Sequence, residues 1–367
     1  MNKLCIIYNF AQKYREAIYR KIDQNWDCDW YFGKNSTDIK GFDLTALKNA
    51  QEVPNKKVFG PFVWQKGIVG LLRNPEYDKF LMLGEFFNLS TWSVILLRPF
   101  IAPKKKIYFW SHGWYGREGF GKKWMKRLFF GLVDGTFLYG NYGKEQAVAQ
   151  GNNPDKLWVL HNSLDYDNQK QLREKLSNSD IYSKHFGNDA PNIIFIGRLT
   201  KVKRLDQVIE AVAKLNQDGF PVNLTFIGDG VEAENLKSLV KDKGIEDRVW
   251  FYGACYDDTK NGELIYNADL CVAPGNVGLT AMHTMAFGTP VLTHDNFPMQ
   301  MPEFEAIKKG ETGDFFKYGD ISSLTEGIKS WLSNHPDRDA VRKACIAEIE
   351  ESWNPDFQIK VLKNHIE

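Results

Sequence analysis

The chain is predicted to be an α/β protein with two doubly wound parallel sheets. Short apolar, β-rich runs alternate with helical patterns along most of its 367 residues. Many of those runs end in glycine. A polar, charged stretch separates two such halves. Runs that are apolar throughout belong to parallel strands covered on both faces, and ligands of such sheets sit beyond the strands' carboxyl ends.

In the first half, Leu4-Cys5-Ile6-Ile7-Tyr8 reads as the first strand. The preceding Met1-Asn2-Lys3 is too short for a leader. Further strands are expected to end near Asn9, Gly33, Gly60, Gly84, Ser111, Tyr139 and His161, with helical patterns at Tyr14–Gln24 and Gly143–Gln150. The segment Leu164–Asn188 has few large apolar residues and reads as a linker with a solvated helix. The second half gives strands at Asn192–Ile196, Leu224–Ile227 and Leu270–Ala273. Pro355 breaks a helix and Asp356–His365 forms a last one. The expected organisation is a first domain over 1–163, a linker over 164–189 and a second domain over 190–351. The final helix, 352–367, crosses back onto the first domain.

Hydrophobic residues make up 43% of the chain, enough for full cores, and the net charge of +1 gives no reason to expect nucleic acid. Five cysteines without metal-ligand spacing point to a reducing, cytoplasmic compartment. The longest apolar stretch, Phe86 to Ala102, is broken by Asn88, Arg98 and Pro99, so no membrane span is expected.

The chemistry gathers at strand ends. Gly197-Arg198-Leu199 follows one strand, with Lys203 a turn later. Gly228-Asp229-Gly230 follows the second, and Pro274-Gly275-Asn276-Val277-Gly278-Leu279 the third. A guanidinium fork and an ammonium at a helix start can neutralise a diphosphate, aided by backbone N–H donors. Two solvated charges beside Lys201 and Arg204 are the plain alternative.

These residues resemble the donor domain of retaining glycosyltransferases of the family 4 type, which have the two-domain GT-B fold. The resemblance rests on Gly197-Arg198-Leu199…Lys203, Gly228-Asp229-Gly230, Gly253, Gly278-Leu279…Met285-Ala286-Phe287-Gly288-Thr289-Pro290-Val291 and Glu303…Gly310…Thr312-Gly313. In the first half, Asn9…Tyr14-Arg15, Ser111-His112-Gly113 and Asn162-Ser163-Leu164-Asp165 are similar to family positions after the first strand, in the catalytic loop and at the domain linker. The resemblance implies two Rossmann-like domains facing a central cleft. The donor site would comprise Gly197, Arg198, Lys203, Gly228, Gly230, Gly275, Asn276, Gly278, Leu279 and His283. His112 would orient the donor sugar, and Arg198 and Lys203 would stabilise the leaving diphosphate. Asn9, Arg15 and Glu85 fall where an acceptor is met. The family's paired glutamates stand here as Gly275 and His283. The first of the pair usually meets the sugar and the second the ribose. A neutral histidine can also bond a ribose hydroxyl, while burial among Met282, Met285 and Phe287 is the competing reading of His283.

Two other motifs carry less. Asp27-Cys28-Asp29 copies a metal-binding D-x-D, but it opens a strand and has no nucleotide loop beside it, so no metal or other cofactor is expected. His294-Asp295 looks like a catalytic pair, yet neighbours on a strand face opposite ways. Residues 98–130 hold nine Lys or Arg against one acid, interleaved with Trp110, Trp114, Phe120, Trp124 and Met125. That composition suits a segment lying on an anionic membrane. It also suits a surface helix whose aromatics enter the core.

The expected function is transfer of a sugar from a nucleotide-diphosphate sugar to a saccharide or lipid-linked saccharide acceptor. The setting would be surface polysaccharide assembly, at the inner face of the membrane. A nucleotide-sugar epimerase, a sugar phosphorylase of the same fold and a non-catalytic nucleotide- or saccharide-binding protein are the alternatives.

Overall fold

The computed structural model describes residues 3–35 and 39–366; the reading of Met1 and Asn2 lies outside them. Contacts divide the chain into two compact units. One holds the residues up to Asp165 together with those from Asn354 onward, and the other holds Tyr166–Trp353.

The first unit carries strands β1 (Lys3–Tyr8), β2 (Cys28–Gly33), β3 (Ala50–Val53), β4 (Asn55–Phe59), β5 (Phe62–Gln65), β6 (Tyr77–Leu83), β7 (Lys106–Ser111), β8 (Gly135–Leu138) and β9 (Leu157–Val159). Its helices are α1 (Glu16–Asn25), α2 (Leu89–Ile101), α3 (Phe120–Gly131) and α4 (Asn141–Ala149). A parallel sheet runs in the order β3-β2-β1-β6-β7-β8-β9. Strand alternation explains how both faces are covered. Leu4, Ile6 and Tyr8 pack with Ile18, Tyr19 and Ile22 of α1. Cys5 and Ile7 pack with Val94 and Ile95 of α2 and Phe129 of α3.

One expected strand has a different partner. The run ending near Gly60 pairs antiparallel with β5 as a separate hairpin, with Gly60 at a φ of 49° in its turn. Lys56, Lys57, Val58 and Phe59 are exposed, so nothing covers this run as a central parallel strand would require.

The second unit carries α5 (Tyr166–Arg173), α6 (Ile181–Phe186), β10 (Asn192–Ile196), α7 (Leu205–Gln217), β11 (Asn223–Ile227), α8 (Ala233–Asp242), β12 (Val249–Gly253), α9 (Asp258–Asn267) and β13 (Leu270–Ala273). It continues through α10 (Leu279–Ala286), β14 (Val291–His294), β15 (Gly313–Phe316), α11 (Ile321–Asn334) and α12 (Arg338–Ser352). Its sheet is parallel, in the order β12-β11-β10-β13-β14-β15.

The stretch read as a linker is instead largely docked structure. Arg173 at the end of α5 donates to the Ala286 carbonyl at 2.5 Å, and Tyr182 of α6 donates to the Leu264 carbonyl at 2.6 Å. Its few apolar residues suffice because polar side chains pin the backbone to α9 and α10. The last helix, α13 (Pro355–Ile366), starts with proline at its first position, where the missing N–H costs nothing. Ile359, Leu362 and Ile366 complete the first unit's core, and Gln358 holds Ser163 and the His161 carbonyl at 2.7 and 2.8 Å.

Candidate functional site

Strand order reverses between β10 and β13 in the second unit and between β1 and β6 in the first. Such reversals open a crevice beyond the strand ends, and the candidate residues collect at both.

In the second unit, three turns interlock beyond β10, β11 and β13. Gly197 N–H donates to the Ile227 carbonyl, Leu199 N–H to that of Asp229, and Gly275 N–H to that of Lys203, all at 2.9 Å. The approach is so close that a Cβ on Gly228 would lie 1.9 Å from the Gly197 oxygen, and one on Gly230 would lie 2.3 Å from the Leu199 oxygen. On Gly275 a Cβ would lie 2.1 Å from the Val202 oxygen. Glycine at 275 is thus dictated by the backbone, and a glutamate cannot occupy that place without displacing the turn that bears Lys203.

Lys203 is aimed by this packing. Its ammonium donates to the Asn276 carbonyl at 2.7 Å and to the Asn276 side-chain oxygen at 2.9 Å. It lies 3.8 Å from where a Cβ on Gly278 would stand. Gly278, at a φ of 52°, opens α10 with Leu279 as its first residue. Thr280 ties that helix to the Ile196 carbonyl of β10 at 2.9 Å. The helix start adds partial positive charge beside the ammonium. Burial pulls the Lys203 ammonium down to about 8, with Glu303 opposing and Arg198 adding to the effect. Arg198 is exposed, and its guanidinium makes no hydrogen bond or ion pair among the described residues. The arrangement is a fixed ammonium and a free guanidinium at one strand end, able to hold two adjacent phosphates.

Sequence reasoning missed Gln300, and it marked Glu303 only through the family resemblance, with no link to Lys203. Glu303 is buried and close enough to act on Lys203. Gln300 accepts from Val277 N–H at 2.9 Å and donates to Thr293 at 2.8 Å, bracing the loop after β13. Both follow β14, far from Lys203 in sequence, and no local pattern places them beside it. His283 is half-buried on α10, and its Nδ1 has no partner among the described residues. Burial lowers its proton affinity, with Asp258 opposing, so the ring favours its neutral form.

In the first unit, Asn9 and Glu85 meet at the β1/β6 reversal. Burial raises the Glu85 carboxyl, and a hydrogen bond with the Asn9 side chain opposes it. His112 follows β7, half-buried, its ring 4.5 Å from that of Tyr139 and its Nδ1 without a partner among the described residues. Burial, then Arg15 and Lys126, lower it to about 4. Arg15 differs from the expectation of an acceptor contact. It is buried and donates to the Tyr139 hydroxyl at 2.6 Å.

Two further readings are corrected by geometry. Lys126, counted among the surface cations, is buried; it bonds the Gly113 carbonyl at 2.5 Å and Glu118 at 2.7 Å. Trp110 and Trp114, read with it, are buried as well and belong to the core. Other residues of this stretch do reach the surface. Phe120 and Trp124 of α3 are 90% and 63% exposed, and Phe100 of α2 is 85% exposed. Lys122 and Arg127 are exposed among them. No helix among the described residues is long and apolar enough to cross a membrane. The D-x-D carboxylate Asp29 is taken by Tyr77 at 2.6 Å and Lys3 at 3.4 Å. His294 and Asp295 bond different backbone amides, those of Asn296 and Tyr318.

Comparison with known proteins adds likenesses to glycosyltransferases. Residues 168–347 match the model for glycosyl transferases group 1. An uncharacterized glycosyltransferase of Methanocaldococcus jannaschii is 26% identical over 222 residues, 58% of this chain and 54% of the relative. The match therefore spans about half of that relative's length. An uncharacterized 41.2 kDa protein in the cps region of Klebsiella pneumoniae is 26% identical over 310 residues, 80% of this chain and 82% of the relative. The crystal structure of Anabaena HepE in complex with UDP superposes with a TM-score of 0.74 at 15% identity, over 99% of both chains. The chain thus has the GT-B fold, and residues 168–347, in its second unit, match the glycosyl transferases group 1 model.

Proposed function

We propose that this protein is a retaining, metal-independent hexosyltransferase of the family 4 type. It would move a sugar from a nucleotide-diphosphate sugar to a saccharide or lipid-linked saccharide during surface polysaccharide assembly. The observation that carries the reading is the pair Arg198 and Lys203, set at the β10 end beside the start of α10. As the bond from the anomeric carbon to the diphosphate breaks, negative charge grows on the leaving oxygen. Preorganised donors aimed at such charge supply a large part of the rate. The acceptor hydroxyl oxygen bonds the anomeric carbon, and its proton passes to the leaving phosphate. Side-chain cations then do the work a divalent ion would otherwise do.

In this reading the second unit binds the donor, with the neutral His283 ring bonding a ribose hydroxyl. Asn9 and Glu85 meet the acceptor, and His112 orients the sugar. The UDP in the Anabaena structure supports a nucleoside diphosphate as the leaving group. The test is to incubate donor with and without candidate acceptors and to follow released nucleoside diphosphate and the sugar. Release that requires an acceptor supports transfer. An isomerised sugar nucleotide without acceptor indicates an epimerase, and donor bound without turnover indicates a binding protein.

The exposed face of α3 gives the reading a membrane component. Phe120, Trp124 and Leu128 recur every fourth residue and are exposed, flanked by Lys122 and Arg127. The protein is expected to bind anionic vesicles, less tightly as salt screens the charge. Phe120→Ser with Trp124→Ala should weaken vesicle binding roughly tenfold or more, given the apolar area each side chain buries. Lys122→Gln with Arg127→Gln should remove the salt dependence. Co-sedimentation checks both, and wild-type binding that is absent or indifferent to salt contradicts the membrane role.

A further inference from the structure

Arg15 ends a short turn ahead of α1 and is only 5% exposed. Its guanidinium carbon lies 4.5 Å from the ring centre of Trp110, 5.0 Å from Tyr8, 5.5 Å from Tyr139 and 5.9 Å from Tyr19. One nitrogen donates to the Tyr139 hydroxyl at 2.6 Å. The other two, Nε and Nη2, have no hydrogen-bond partner, and no carboxylate pairs with it among the described residues. A guanidinium does not discharge in a protein. The aromatic faces return part of the cost of burying it, but a methionine would fill the same box without that cost. Packing alone therefore does not account for an arginine here.

Tyr139 links the charge to His112. The ring of Tyr139, whose hydroxyl accepts the Arg15 N–H, lies 4.5 Å from the imidazole at 38°. Tyr115 stacks near it at 6.1 Å. Lys126 holds the next residue, Gly113, by its carbonyl, and Ser111 accepts from the Gly113 N–H at 3.2 Å while donating to the Gly84 carbonyl at 2.9 Å. The charged groups around the ring are thus the cations Arg15 and Lys126. The carboxylate of Glu118 is engaged with Lys126, and that of Glu85 interacts with Asn9.

We propose that Arg15 is a positioning residue for His112: it fixes the imidazole through Tyr139 and, with Lys126, flanks it with positive charge. The ring then serves as a neutral hydrogen-bonding group, able both to donate and to accept, and not as an acid. This rests on the reading of His112 as a site residue, so the test begins with a property that needs no transfer reaction.

The experiment follows the imidazole signals by NMR from about pH 3 to 8, a range that reaches below the window where an ordinary histidine titrates. His112→Ala identifies the signal among those of the 7 histidines. In the wild type the His112 ring should stay neutral down to about pH 5 and charge only below it. In Arg15→Met its midpoint should rise by about one unit, the effect of removing a nearby cation. Arg15→Lys, which keeps the charge without the fork, should keep the low midpoint. Tyr139→Phe should also keep it, while changing the ring's chemical shift and lowering kcat about tenfold, with KM for the donor little changed. A folded Arg15→Met whose His112 midpoint does not move overturns the proposal. If that variant does not fold, Tyr139→Phe decides, and unchanged kcat together with an unchanged His112 signal overturns it. Full transfer by His112→Ala would instead defeat the reading of His112 itself, whatever the titration shows.

Discussion

Arg198→Ala and Lys203→Ala should each lower turnover about a hundredfold or more, the usual loss when one preorganised donor to a developing charge is removed. Neither should unfold the protein. Arg198 is exposed with no side-chain bonds to lose among the described residues, and the hydrogen bonds that Lys203 gives there go to Asn276. The two should differ in detail. Lys203→Ala releases the Asn276 loop beside Gly278, so donor affinity should fall together with kcat. Lys203→Arg should not rescue, because Asn276 grips a point charge with two oxygens and a planar fork does not fit that grip. The pH dependence follows from the same geometry. Lys203 must carry its proton to act, and burial brings it down to about 8. Hence kcat/KM should be full below that value and fall as pH rises through it, since this parameter reports groups in the free enzyme. Steady-state kinetics of the folded variants across pH checks all of this. Near-normal activity in either alanine variant would place the donor site elsewhere.

Gly275→Glu should also be severe, although it restores a residue type that the resembling family carries. A Cβ at this position would stand 2.1 Å from the Val202 oxygen and 2.7 Å from the Lys203 Cα. The turn bearing Lys203 would have to move, and the Gly275 N–H would lose its bond to the Lys203 carbonyl. Forcing atoms into a closed space typically costs about 1–3 kcal/mol, and here the displaced element is the clamp. Denaturant unfolding should show that loss, and calorimetry should show donor affinity reduced at least about tenfold, as expected when a charged contact is misplaced. A variant with wild-type stability and donor affinity would show that the turn yields, and that glycine at 275 is not a packing requirement. His283→Glu is the contrasting case. That side chain is half-buried with a ring nitrogen unpaired among the described residues, so a carboxylate there meets no comparable backbone.

The second unit was the more legible in sequence. Asn192–Ile196 and Leu270–Ala273 are strands as read, and Leu224–Ile227 lengthens by one residue. Each is a continuous apolar run closed by a turn-forming residue, so burial on both faces and strand termination are written locally. The placement of Arg198 and Lys203 after β10 was legible for the same reason. What decides their use was not. The Asn276 grip on Lys203, the buried Glu303 and the bracing Gln300 depend on loops after three different strands meeting in space. In the first unit, the hairpin around Gly60 shows that a run's partner cannot be read from its composition. Lys126 shows the same for charge. Its neighbours Lys122 and Arg127 are exposed, and only the distant carbonyl of Gly113 and the carboxylate of Glu118 make burial tolerable. Arg15 likewise reads as an acceptor contact until four aromatic rings, those of Tyr8, Tyr19, Trp110 and Tyr139, close around it.

The measurement that bears most directly on the account is calorimetric titration of wild type and the Arg198→Ala, Lys203→Ala double variant. The ligands are a panel of nucleoside diphosphates, with the matching monophosphates and nucleosides. The account predicts that at least one diphosphate, UDP foremost, binds the wild type more tightly than its monophosphate and nucleoside. The double variant should lose that preference and retain the weak nucleoside binding. A double variant that binds the diphosphate as tightly as the wild type, or a wild type that prefers no diphosphate, would contradict it.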